Sequence, residues 1–172
     1  HEGNSEAFAG KALSRHPRAS YCLATKMPVW ELSSPSDIDR IFTEQLKRCR
    51  VEYFDFYLLH NMNEEHYKKA RAFSVYEHLR REKEQGRIRH LGFSFHDHPR
   101  LLERITSDYA WDFAQIQLNY LDWTIIDSKR QYEILRDKNI PVIVMEPVRG
   151  GSLASLTPEA VAVLRRENPK DS

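Results

Sequence analysis

Five short apolar runs, at residues 20–26, 53–60, 88–94, 113–119 and 142–146, alternate with longer stretches whose apolar residues recur at helical spacing. Few folds accommodate that order. Runs of nearly continuous hydrophobicity suit parallel strands buried on both faces, and parallel neighbours need a crossover, usually a helix, between them. The pattern α-β-α-β-α-β-α-β-α-β-α therefore predicts an α/β chain with a parallel sheet and right-handed crossovers. The intervening helices carry legible signals. A first helix spans about Ser5 to Arg15. Ser36 caps a second, whose inner face holds Ile38, Ile41, Phe42, Leu46 and Cys49, so Cys49 reads as core. One long helix is expected over Glu64–Gln85, closed by Gly86 in a left-handed cap. Pro99 stands at a first helical position, Asp127 opens the next helix, and Thr157-Pro158-Glu159 starts the last, with Val161 and Leu164 inward.

The chain has 172 residues, the size of one domain, with 26 Lys+Arg against 25 Asp+Glu. A net charge of +1 lacks the basic excess of a nucleic-acid or membrane-surface binder. No apolar run approaches the roughly 18 residues of a membrane span, and no signal-peptide pattern opens the chain. Two cysteines, Cys22 and Cys49, make neither a disulfide framework nor a Cys-rich metal site, so a reducing, cytoplasmic setting is expected.

Two architectures fit five βα units: a complete doubly wound sheet of the flavodoxin type, or five of the eight units of a (β/α)8 TIM barrel. Length favours the first. The strand ends favour the second, because Lys26, His60, Ser94, Asn119 and Glu146 fall at five successive carboxyl ends, where a barrel would converge all of them on one site. Lys26 would be either a snorkelling lysine or a fixed cation that acidifies a neighbour or binds an anion. His60 would be a strand-end hydrogen bonder or a catalytic group. His96, Asp97 and His98 suggest a metal site, but no second cluster has zinc-like spacing, so no metal is expected. Neither GxGxxG nor a Walker loop occurs. Gly150-Gly151 would let the backbone approach a phosphate, with Arg149 supplying charge, while Trp111 and Trp123 read as core or rim.

Thr25-Lys26, the strand Tyr57-Leu58-Leu59-His60, the segments Gly86–Ser94 and Gln115–Tyr120, and the run Asn139–Gly151 together resemble, in order and spacing, the aldo-keto reductases. The last two segments are similar to a microbial branch that often carries an iron-sulfur ferredoxin-like tail. The resemblance runs from about Gly3 to Leu156. It implies a (β/α)8 barrel that reduces aldehydes or ketones with NADP(H), or alternatively NAD(H), through an Asp-Tyr-Lys-His tetrad. Lys26 and His60 then fall on the lysine and histidine. Ser94 and Gln115 fall on the groups that hold the nicotinamide carboxamide. Met145 stands where an aromatic commonly stacks on the nicotinamide ring, and Val148 and Gly150 lie in the segment lining the pyrophosphate. Phe95 replaces the asparagine of many members.

The tetrad's Asp and Tyr, the final strand and the Cys-rich tail have no counterpart in this sequence, which opens with His1 rather than Met. The expectation is a single barrel domain over 1–172, truncated at both ends, covering the third to seventh strands of a longer polypeptide and inactive by itself. The expected activity is reduction of a small carbonyl substrate; a non-catalytic NADPH-binding barrel acting as a sensor or regulatory subunit is the alternative. A third reading is a five-stranded doubly wound domain that binds a small ligand.

Overall fold

In the computed structural model, which describes residues 3–167, the chain forms one parallel sheet of five strands in the order β1-β2-β3-β4-β5. The strands are β1 (Ala24–Met27), β2 (Phe54–Met62), β3 (Ile88–Phe95), β4 (Phe113–Gln117) and β5 (Val142–Met145). The helices are α1 (Asn4–Leu13), α2 (Ser36–Cys49), α3 (Glu64–Ala72), α4 (Val75–Glu84), α5 (Pro99–Asp108), α6 (Asp122–Ile125), α7 (Ser128–Asp137) and α8 (Pro158–Glu167). Strictly sequential strand order decides between the two architectures. A doubly wound sheet reverses its order at a switch point, whereas a barrel never does.

The two faces of the sheet differ as a barrel requires. Met27, Tyr57, Leu59, Phe93, Ala114 and Ile116 face the helices and are buried. Lys26, Leu58, Gly92 and Phe113 lie in one register row on the opposite face. Two residues further along that face come His60, Ser94, Gln115 and Ile143. This face is concave: Lys26 Nζ on β1 donates to Gln115 Oε1 on β4 at 2.8 Å. Three strand spacings of about 4.8 Å separate those strands in a flat sheet, so the bond spans them only because the sheet curls. The curl does not close, and Ile143 and Val144 of β5 stay 37% and 44% exposed.

α2 presents Ile38, Ile41, Phe42 and Cys49 inward as expected. Burial pushes the Cys49 thiol up to about 11, the behaviour of an inert core group. Gln45 of α2 is buried as well. Its amide donates to the Lys26 carbonyl at 2.8 Å and accepts the Tyr57 hydroxyl, so the backbone beneath Lys26 is held from the helix side. α1 packs on the end of α2 through Gly10, where a Cβ would lie 2.3 Å from the Arg48 carbonyl oxygen.

Three expectations need correction. Glu64–Gln85 is two helices, broken at Ser74, which adopts φ 54°. Tyr67 and Ala70 bury one face, and an uninterrupted helix would carry Val75 and Leu79 off it; the break turns both inward. Ser36 is the first helical residue rather than the cap, and the Asp37 carboxylate instead accepts from the N–H groups of Ser33 and Ser34. β1 begins at Ala24 because Arg18–Ser20 is a 3-10 turn. Val161 of α8 is half-buried, whereas the inward position expected of Leu164 lies outside the described side chains.

Candidate active site

β2 carries one residue more than β3 along their paired stretch, since Leu59 pairs with Phe93 but Met62 with Phe95. The extra residue makes a bulge at His60-Asn61. Asn61 turns to φ 55°, and its N–H leaves the ladder to donate to Ser94 Oγ at 2.8 Å. Bulges re-aim side chains. Here His60 is left on the concave face while Met62 and Phe95 turn outward into the core. Phe95 packs edge-on to Phe93, so it takes no place on the concave face.

Lys26, His60, Ser94 and Gln115 are thereby brought together at the carboxyl ends of β1–β4. Lys26 is half-buried, and desolvation lowers its pKa from the usual lysine value. Because an ammonium only donates, the Gln115 atom facing it is the amide oxygen, and Nε2 points elsewhere. Ser94 is fully buried; its oxygen serves Asn61, and its hydroxyl proton remains to be donated.

His60 stacks obliquely against Trp30, with ring centroids 4.8 Å apart. Burial first, then the charges of Lys26, His96 and His66, hold its pKa at about 4. At neutral pH it is an uncharged imidazole that can donate one hydrogen bond and accept another. Between pH 6.5 and 4 the unfolded chain takes up a proton that folded His60 refuses, so this residue makes the fold less stable as pH falls through that window and has no such effect above it. An NMR titration is expected to show the His60 ring neutral down to pH 5, and His60→Gln to remove its share of the acid slope in unfolding experiments. A midpoint near 6.5 would contradict the burial.

The β5 side contributes differently. Met145 is half-buried in register with Gln117, and Val148 and Gly150 sit in the exposed turn beyond it. That turn contains four positive-φ residues: Glu146, Arg149, Gly150 and Gly151. Its own backbone bonds use the N–H groups of Arg149, Gly151, Ser152, Leu153 and Ala154, leaving those of Val148 and Gly150 outside the network. Arg149 is not the free cation expected from the sequence. Its guanidinium lies 2.8 Å from Asp122, which is fully buried.

Two of the five strand-end residues do structural work instead. Asn119 Oδ1 accepts from the N–H groups of Leu121 and Asp122, and Nδ2 donates to Asp122 and to the Glu146 carbonyl. Glu146 is exposed and contributes that carbonyl. Trp123 is rim, against Tyr132, and Trp111 is core. Trp30 and Asp122 were not singled out from the sequence. The Asn-x-x-Asp spacing at 119–122 is a recognisable turn signal for the second, and nothing in the sequence marks the first. Among the described residues no His/Cys/Asp/Glu cluster is arranged for a metal, and no helix is long and apolar enough to cross a membrane.

A parallel sheet in barrel order, with a lysine, a neutral histidine and two amide- or hydroxyl-bearing groups at its carboxyl rim, is the arrangement expected of part of an unclosed (β/α)8 barrel. The aldo/keto reductase family pattern matches residues 1–171, and the chain belongs to that family. It is 26% identical over 171 residues to the NADH-specific methylglyoxal reductase of Escherichia coli K12, an alignment covering 88% of this chain and 50% of the relative. Its fold superposes on the holo form of an aldo-keto reductase from Bacillus halodurans with TM-score 0.75 at 22% identity, over 99% of this chain and 61% of that one. An aldo-keto reductase from a Medee basin deep-sea metagenome gives TM-score 0.73 at 20% identity, over 96% and 59%. The chain thus spans about half the length of the curated relative it matches and about three fifths of these solved ones.

The residues present fit a nicotinamide cofactor. Gln115 and Ser94 stand at paired positions of β4 and β3, and Val148 and Gly150 keep N–H groups outside the turn's own backbone bonds; donors of these kinds are chemically compatible with a carboxamide and a pyrophosphate.

Proposed function

We propose that these residues form the Lys-His half and the nicotinamide-binding wall of a reductase that acts on small aldehydes or ketones in the cytoplasm. The reading rests on one observation above the others: Lys26 bonded to Gln115 across the concave face, with His60 and Ser94 on the same face. Bound NADPH, or NADH as the relative's name suggests, would supply the hydride. Ser94 and Gln115 would hold the carboxamide, Met145 would lie against the nicotinamide ring, and Val148 and Gly150 would hold the pyrophosphate. His60, neutral at pH 7, would hydrogen-bond the substrate oxygen and orient it. The Lys26 ammonium would favour the ionised form of a neighbouring acid, and so ease its release of a proton to that oxygen.

No tyrosine of the described residues is available as that acid by motif. The hydroxyls of Tyr57, Tyr67 and Tyr76 are engaged with Gln45, Asp108 and the Ala110 carbonyl. We therefore assign the proton donor to polypeptide that completes the barrel, and expect the 172 residues alone to turn over no carbonyl.

Fluorescence titration of the full-length protein with NADPH and NADH tests the placement. Gln115→Leu is expected to weaken binding about tenfold or more, since a half-buried donor to the carboxamide is lost. Unchanged affinity in that variant would remove Gln115 from the site.

A further inference from the structure

Asp122 has a carboxylate without solvent contact, which is costly unless its charge is used. Gln117 Nε2 and Asn119 Nδ2 donate to Oδ2 at 2.7 and 2.5 Å, and Arg149 Nε reaches the same oxygen at 3.2 Å. Among the described residues Oδ1 meets only the Arg149 guanidinium, close at 2.8 Å but poorly aligned for a hydrogen bond. Hydrogen bonds and the arginine charge together outweigh the burial that would raise the pKa of Asp122, and hold it below the usual carboxylate range. The sheet does not need this cluster, because β5 is already registered on β4 from Val142 to Met145. What the cluster fixes is the chain just beyond β5. Asn119 holds the Glu146 carbonyl at 3.0 Å and Asp122 holds the Arg149 side chain, so both ends of 146–149 are tied to the end of β4. Arg149 itself sits at φ 45°, a conformation an arginine keeps only when its surroundings impose it.

We propose that Asp122 is a positioning residue for the cofactor-binding turn: paired with Arg149, it sets the backbone so that the Val148 and Gly150 N–H groups face the pyrophosphate. The inference rests on the functional reading above and adds to it a residue that touches no cofactor. In this arrangement the charge of Arg149 is matched by Asp122, and the turn offers a phosphate its backbone donors.

The test uses the full-length protein, with NADPH and NADH titrated by fluorescence and amide hydrogen exchange read over 148–154. Asp122→Asn keeps the shape but turns an amide toward Arg149. It is expected to raise the dissociation constant of both cofactors about tenfold and to speed exchange at Gly151 and Leu153, whose N–H groups bond the Val148 carbonyl. Arg149→Met should do the same, Arg149→Lys should recover part of the affinity, and the double variant Asp122→Asn/Arg149→Met should lose no more than either single one. Arg149 is 37% exposed, so its variants read out even if Asp122→Asn fails to fold. Wild-type affinity in Arg149→Met, or in a folded Asp122→Asn, overturns this inference alone. A wild-type protein that binds neither cofactor overturns the functional reading, and this inference with it.

Discussion

Replacing Lys26 by methionine in the full-length protein should lower kcat/KM for carbonyl reduction by about 10²–10⁴-fold, the scale of a lost acid-base contribution, with a smaller loss of cofactor affinity through Gln115, whose amide oxygen the ammonium holds. The side chain is half-buried on the concave face, and its ammonium is fixed by one hydrogen bond to Gln115. Methionine keeps the length and the apolar stem, so the packing beside Leu58 should survive and only the charge is removed. The effect belongs in kcat, because the cation helps a neighbouring acid to part with its proton as charge develops on the substrate oxygen. Steady-state kinetics on the purified variant, with fluorescence titration beside it, separates the two constants. A variant within a few-fold of wild type in kcat would mean that Lys26 only anchors Gln115.

Asp55→Ala should act at the other end of the sheet, lowering the free energy of unfolding by about 3 kcal/mol while leaving cofactor affinity unchanged in molecules that fold. Asp55 is 2% exposed at the start of β2. One carboxylate oxygen accepts from the Leu23 N–H at 2.8 Å and from Arg18 at 2.6 Å, and the other accepts from Arg89 at 2.8 Å. Both guanidinium groups lie against the Tyr53 ring, at 3.9 and 4.2 Å. The alanine variant strands a buried N–H and a mostly buried arginine together. These partners hold Asp55 below the usual carboxylate range despite the burial that would raise it. Its stabilisation is therefore present above pH 3.8 and is lost as pH falls below that value. Denaturant unfolding at pH 7 measures the loss, and a change under about 1 kcal/mol would contradict the network. In a barrel the amino ends of the strands serve stability and the carboxyl ends chemistry, and these two variants divide along that line.

That division explains what the sequence made legible. Strands reveal themselves by continuous hydrophobicity, so all five were placed, and the polar residues ending them stood out against it. Gly86 adopts φ 78°, as its place after a helix led one to expect, and Pro99 opens α5. What escaped depends on contacts between segments far apart in the chain. The Asp55 network joins residues more than thirty positions apart, and the Lys26–Gln115 bond spans 89. The bulge that aims His60 is set by Ser94 on the next strand, which no local signal announces. The break at Ser74 escaped because the apolar stripe at Ala72, Val75, Tyr76 and Leu79 is itself helical in spacing; only its mismatch with Tyr67 and Ala70 shows the change of face. The ion pair of Arg149 with Asp122 escaped because the two lie 27 residues apart.

Aldehyde-dependent consumption of reduced nicotinamide by the full-length protein tests the proposed reductase activity. NADPH and NADH would each be offered with a panel of small carbonyls that includes methylglyoxal, and the absorbance of the reduced ring followed. The expected result is oxidation that needs the carbonyl and forms one alcohol per cofactor consumed. Tight cofactor binding with no oxidation by any carbonyl would contradict it and leave a binding protein in the shape of a reductase.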